Sequence, residues 1–153
     1  RASGASNEKL TTIDPCGLLT QAEASAFLAG TATATPSAKV DAASSCIWEA
    51  REPRGGLVVM ASTPAQVGAR ASGEERGDTL EKRFAEVVHS QSGEGGATPI
   101  AGLGDAAVWA ARAGQLWVMK KDRALVSVSF HGESAADAFD KCRAVAQKLV
   151  PRL

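Results

Sequence analysis

The sequence predicts an α+β domain: one antiparallel sheet of about five strands, with helices packed on one face, in the order α-β-β-α-β-β-β-α. Three observations predict it. Apolar residues recur at helical spacing in three segments and form five short β-type runs elsewhere. The turns between successive strands are short, and short turns join antiparallel neighbours. The helices are amphipathic, so each needs a sheet face to cover.

Composition sets the class. The chain has 153 residues, enough for one domain with a substantial core. Lys plus Arg and Asp plus Glu number 17 each, so the formal net charge is zero. No basic stripe argues for nucleic acid, and no apolar run is long enough to span a bilayer. The first residues are small and polar, and 1–12 reads as a flexible tether, either left after a signal segment was removed or an ordinary disordered terminus, with the domain at 13–153.

Taken in order, Thr20-Gln21-Ala22-Glu23 is a capping box that opens a helix through Phe27 and Leu28, stopped by Gly30. Residues 31–43, rich in Thr, Ala and Ser, read as an exposed loop. Residues 46–50 and 57–62 read as a hairpin across the turn at 51–56. Residues 74–89 read as a helix with Leu80, Phe84, Val87 and Val88 as its apolar stripe, followed by a glycine-rich loop. Strands at 106–110, 116–119 and 125–130 form a meander, with two-residue turns expected at Ala113-Gly114 and Asp122-Arg123. Ser134 and Asp137 cap a last helix that ends before Pro151.

The cysteines carry the sharpest signal. Cys16 lies in Asp14-Pro15-Cys16-Gly17-Leu18-Leu19-Thr20, and Cys46 in Ser44-Ser45-Cys46-Ile47-Trp48. The pattern reads as a turn-to-helix cysteine joined to a strand cysteine by a disulfide, in an oxidising compartment. Metal binding is the competing reading, but no CxxC or HxxxH pair completes a site. Cys142 is the odd thiol. It shares a helical face with Ala138, Phe139, Val145, Ala146 and Leu149, so it reads as a buried, inert core residue.

Gly102-Leu103-Gly104-Asp105 resembles a phosphate loop only superficially. It lacks the Lys-Ser/Thr pair, and a strand follows it where an anion site needs a helix. The expected role is a tight turn.

The ordered set Asp14-Pro15-Cys16-Gly17-Leu18-Leu19-Thr20, Cys46-Ile47-Trp48 and Ile100-Ala101-Gly102-Leu103-Gly104-Asp105-Ala106-Ala107-Val108-Trp109, followed by a meander and a terminal helix, resembles bacterial cell-envelope lipoproteins of unknown function. The resemblance covers the chain from about Asp14 onward. It implies a PsbP-like α/β sandwich, an extracytoplasmic location and attachment to the membrane only through a lipid anchor. It brings no catalytic residue, cofactor or metal ligand, and Cys142 departs from the two-cysteine pattern.

The expected turns divide the meander into two faces. Val108, Trp117, Met119, Val126 and Val128 form the apolar one and should meet the helices. Trp109, Leu116, Val118, Ser127, Ser129 and His131 form the mixed one, the candidate binding face. Ser129 and His131 splay in parallel along one strand, without the strained turn of a hydrolase nucleophile. The sequence therefore predicts a non-catalytic, secreted or envelope-anchored binding or accessory domain for a small molecule, lipid or envelope protein. The alternative is a protein-docking or inhibitor-like module acting on another envelope protein.

Overall fold

A computed structural model describes residues 12–40, 43–52, 54–70, 79–90, 96–132 and 135–153. Most of the expected tether, Pro53, residues 74–78 of the expected second helix, most of the glycine-rich loop and the Ser134 cap lie outside the described residues.

The fold is α+β, with a seven-stranded antiparallel sheet where about five strands are expected. The described elements are α1 (Gln21–Leu28), β1 (Ala32–Val40), β2 (Ala43–Arg51), β3 (Arg54–Ser62), α2 (Pro64–Arg70), α3 (Leu80–Ser90), β4 (Ala97–Pro99), β5 (Ala106–Ala110), β6 (Gln115–Lys120), β7 (Ala124–His131) and α4 (Ala135–Leu149). Single 3-10 turns at Pro15–Gly17 and Val150–Arg152 flank them. Two meanders, β1-β2-β3 and β4-β5-β6-β7, join where β3 pairs with β7 to give the order β1-β2-β3-β7-β6-β5-β4.

The two extra strands are the sheet edges. The expected loop at 31–43 is largely β1. Ala32 and Ala34 pair opposite Ala50 and Trp48 and turn inward, while Thr33 and Thr35 are exposed. This is period-two patterning, muted because the inward residues are small. Pro36 is tolerated because β1 has a free edge. β4 is the opposite edge and ends in Pro99.

Helices cover both faces, not one. On the first face, α1 and α4 press Ala24, Leu28, Ala138, Cys142, Val145, Ala146 and Leu149 onto Trp48, Leu57, Val59, Val126, Val128, Leu116 and Val118. On the second, α2 and α3 bring Val67, Leu80 and Phe84 against Met119, Leu125 and Trp117.

The helix starts follow local chemistry. Glu23 N–H donates to Thr20 Oγ1 at 3.1 Å and Thr20 N–H to Glu23 Oε1 at 2.9 Å, the reciprocal box expected for α1. α1 ends on Ala29, in the left-handed region at φ 56°, one residue before the expected glycine. α2 uses the same device: Gln66 N–H donates to Thr63 Oγ1 at 3.2 Å and Thr63 N–H to Gln66 Oε1 at 3.0 Å, with Pro64 at the first helical position. In α3, Lys82 N–H donates to Thr79 Oγ1 at 3.1 Å, which caps the described helix at Leu80.

The Cys16–Cys46 disulfide forms, with Cα atoms 5.2 Å apart. It ties the first 3-10 turn to the middle of β2, and Cys46 is fully buried. Cys142 is buried as expected, and its thiol donates to the Val128 carbonyl at 3.4 Å. Burial pushes the thiol up to about 12.

Candidate functional site

The expected binding face splits between the two sides of the sheet. Trp109, Leu116 and Val118 lie on the first side, buried under the helices. Trp109 meets the Phe139 ring of α4 edge to face, with centroids 5.2 Å apart. Ser127, Ser129 and His131 lie on the second side. Ser127 is buried, Ser129 half-buried and His131 exposed. Val126 and Val128 change places with them and stand beside Leu116 and Val118.

The length of one turn causes the split. Between β5 and β6, Ala110 pairs with Gln115, leaving four residues in the turn. That count has the same parity as the expected two, so the faces of β5 and β6 are as expected. Between β6 and β7, Lys120 pairs with Ala124, leaving three residues. An odd count reverses every side chain of β7 relative to β6. The turn is built for it. Asp122 sits in the left-handed region at φ 62°, the conformation used to close three-residue hairpins. Arg123 N–H donates to Lys120 O at 3.0 Å, and Lys121 N–H to Asp105 Oδ2 at 2.6 Å.

That last bond explains Gly102-Leu103-Gly104-Asp105. Leu103 is a core plug, and Asp105 N–H donates to Met119 O at 2.9 Å. Gly104 has φ +56°, and a Cβ there would stand 2.6 Å from Met119 O. Only glycine lets this backbone approach β6 so closely. The segment locks the start of β5 to the β6–β7 turn.

Among the described residues, the surface that no helix covers lies elsewhere. On the second side, α2 and α3 shelter β6 and its neighbours, while β1, β2, β3 and the end of β7 line a broad, open concavity of about 1380 Å³. Its residues stand in cross-strand rows. One row runs Thr33, Glu49, Gly56, His131, and the next sets Thr35 beside Ile47. Arg51 and Arg54 pair at the hairpin end of β2 and β3 and form the rim. Gly56 supplies a floor without a side chain, and the His131 ring leans over it: a Cβ at Gly56 would meet His131 Cδ2 at 3.4 Å.

Of the six residues expected to form the site, His131 alone lines this concavity. The others in it were readable only as strand alternation. Ile47, Glu49 and Arg51 alternate with the inward-facing Cys46, Trp48 and Ala50. The arrangement offers donors from threonine and arginine, acceptors from Glu49, and one imidazole. Among the described residues, His131 makes no hydrogen bond to Ser129, and no group of three or more His, Cys, Asp or Glu could hold a metal ion. His89 is exposed on α3 and is not among the residues that line the concavity. No described helix is long and apolar enough to cross a membrane. No protein-family model, curated protein or solved structure matches the chain.

Proposed function

We propose that this is a non-catalytic binding or accessory domain that works outside the cytosol, secreted or anchored to the cell envelope, and that it takes its ligand on the uncovered half of the sheet. The observation that carries this reading is the uneven cover of the second sheet face. Helices shelter its β6 side, and among the described residues nothing closes the concavity over β1, β2 and β3. A domain that binds a ligand needs such a preformed recess with a few convergent polar groups.

The disulfide is consistent with the extracytoplasmic setting, because such bonds persist where thiols are not kept reduced. The likeness of the cysteine and Gly-Leu-Gly-Asp motifs to envelope lipoproteins supports the same address. The concave shape favours a small ligand over a flat protein partner. The β1 edge also resists strand addition: Pro36 lies in it, and its pairing with β2 is interrupted between Ser37 and Val40.

The test is a thermal-shift and amide-NMR screen against envelope lipids, glycans and small metabolites, repeated on Thr33→Trp. Thr33 is exposed on β1, so the indole fills the recess without touching the core. The expected result is a ligand that perturbs amides of β2 and β3 and is lost in Thr33→Trp at unchanged melting temperature. Ligands that map to another surface, or that ignore the substitution, overturn the reading.

A further inference from the structure

Arg51 and Arg54 are directly opposed across the β2–β3 pair, both exposed and both on the rim of the concavity. Opposed like charges on a sheet repel. Glu49 and Glu52 are close in the chain, yet among the described residues neither arginine forms an ion pair. Two guanidinium groups without an ion pair among the described residues therefore line a recess floored by Gly56, whose lining also holds Glu49 and Glu52.

We propose that this end of the recess binds the phosphate group of a small, soluble phosphomonoester. The phosphate sits between the Arg51 and Arg54 guanidinium groups. The hydroxyl-bearing remainder lies over Gly56, donating to Glu49 and flanked by Thr33 and His131. The inference rests on the reading that the uncovered sheet face is the binding surface.

Charge matching selects phosphate. A monoester carries about −1.5 to −2 at neutral pH and so offsets both arginines, whereas one carboxylate offsets only one. Its oxygens also suit two guanidinium forks at once. The row from Glu49 to His131 is separated only by Gly56, so a ligand can lie on bare backbone between an acceptor and a ring. A phospholipid headgroup offers the same phosphate, but membrane surfaces are held by exposed aromatic and aliphatic side chains. Among the described residues that line the recess, the one aliphatic side chain larger than alanine is Ile47, which is half-buried, and the one ring is the His131 imidazole.

The experiment is an amide-NMR titration of the intact domain with glycerol 3-phosphate, with glycerol as the neutral control, and co-sedimentation with phosphatidylglycerol vesicles. Glycerol 3-phosphate should perturb Glu49, Arg51, Arg54 and Gly56, and glycerol should not. Arg54→Gln should weaken binding about tenfold, the loss of one charge-assisted contact. It should leave the melting temperature unchanged or slightly higher, since it relieves a repulsion. Three results overturn the proposal: no response at millimolar glycerol 3-phosphate, equal response to glycerol, or affinity unchanged in Arg54→Gln. Binding to vesicles without a response to the soluble ester also overturns it and assigns the arginines to a lipid surface. A neutral ligand that still maps to β2 and β3 would leave the wider binding reading standing while this one falls.

Discussion

Arg152, in the last turn of the chain, grips Glu23 in α1 from 129 residues away: its Nη1 and Nη2 donate to the two carboxylate oxygens at 2.7 Å each. Nη1 also donates to the Leu18 carbonyl at 2.7 Å, and Lys148 Nζ stands 3.8 Å from Glu23 Oε2. Glu23 is also the acceptor in the capping box. These bonds clasp the C-terminus to the segment that carries the disulfide.

The Arg152 hydrogen bond, helped by the Thr20 N–H, pulls the Glu23 carboxyl down to about 2. A carboxyl whose folded pKa lies below its unfolded one stabilises the fold above the usual carboxylate range. That contribution drains away as pH falls from there toward about 2. Glu23→Gln keeps an acceptor for the capping box but removes the charge and one of the two oxygens that accept from Arg152. The variant should be less stable than the parent at pH 7, with the gap closing as the pH approaches 2. Denaturant melts across this range check it, and a gap that does not change with pH refutes it.

Removing the disulfide with Cys16→Ser and Cys46→Ala together opens a loop with a sequence separation of 30. The expected cost is about 3.6 kcal/mol by the chain-entropy model, measured by chemical unfolding. In the native parent, Cys142 should resist thiol reagents, because its buried thiol stays protonated. Its labelling rate should follow global unfolding. Rapid labelling of folded protein would show that α4 opens locally.

Gly104 and Gly102 both have positive φ, and they separate strain from clash. At Gly102 a Cβ meets nothing within 4 Å, so Gly102→Ala should cost about 1–2 kcal/mol from the backbone alone. At Gly104 the Cβ would also stand 2.9 Å from Val118 Cγ1 and closer still to Met119 O. Gly104→Ala should therefore cost about 2–4 kcal/mol. Equal melting temperatures for the two variants would contradict this.

The sequence places Trp109 on the candidate binding face, and the structure places it elsewhere. It is a core residue, 8% exposed, packed edge to face with Phe139. Trp109→Ala should destabilise by about 3–5 kcal/mol, read by denaturant melts. Ligand affinity of the remaining folded fraction should be unchanged, because the recess lies on the opposite side of the sheet.

Several elements were legible in the sequence because their signals are local. The α1 capping box, the apolar face of α4 and the hairpin of β2 and β3 each depend on residues a few positions apart. The missed elements had weak local contrast. β1 alternates alanine with threonine, so its inward face carries little apolar signal. α2 is short, yet Thr63-Pro64-Ala65-Gln66 marks its start and could have been read. The binding face failed on one residue in the turn at 121–123.

By itself, the amino-acid sequence determined the α+β class, the pairing of Cys16 with Cys46, the inward turn of Cys142, the antiparallel hairpin of β2 with β3 and the antiparallel run of β5, β6 and β7. Each follows from short-range periodicity, turn length or cysteine chemistry. Only the tertiary structure decided that β3 joins β7, that helices cover both faces, and that Arg51, Arg54, Glu49 and His131 share one recess. Backbone hydrogen bonds between strand edges do not distinguish one strand from another. Which edges meet is settled by the apolar surface that the whole assembly buries, a quantity no local window contains.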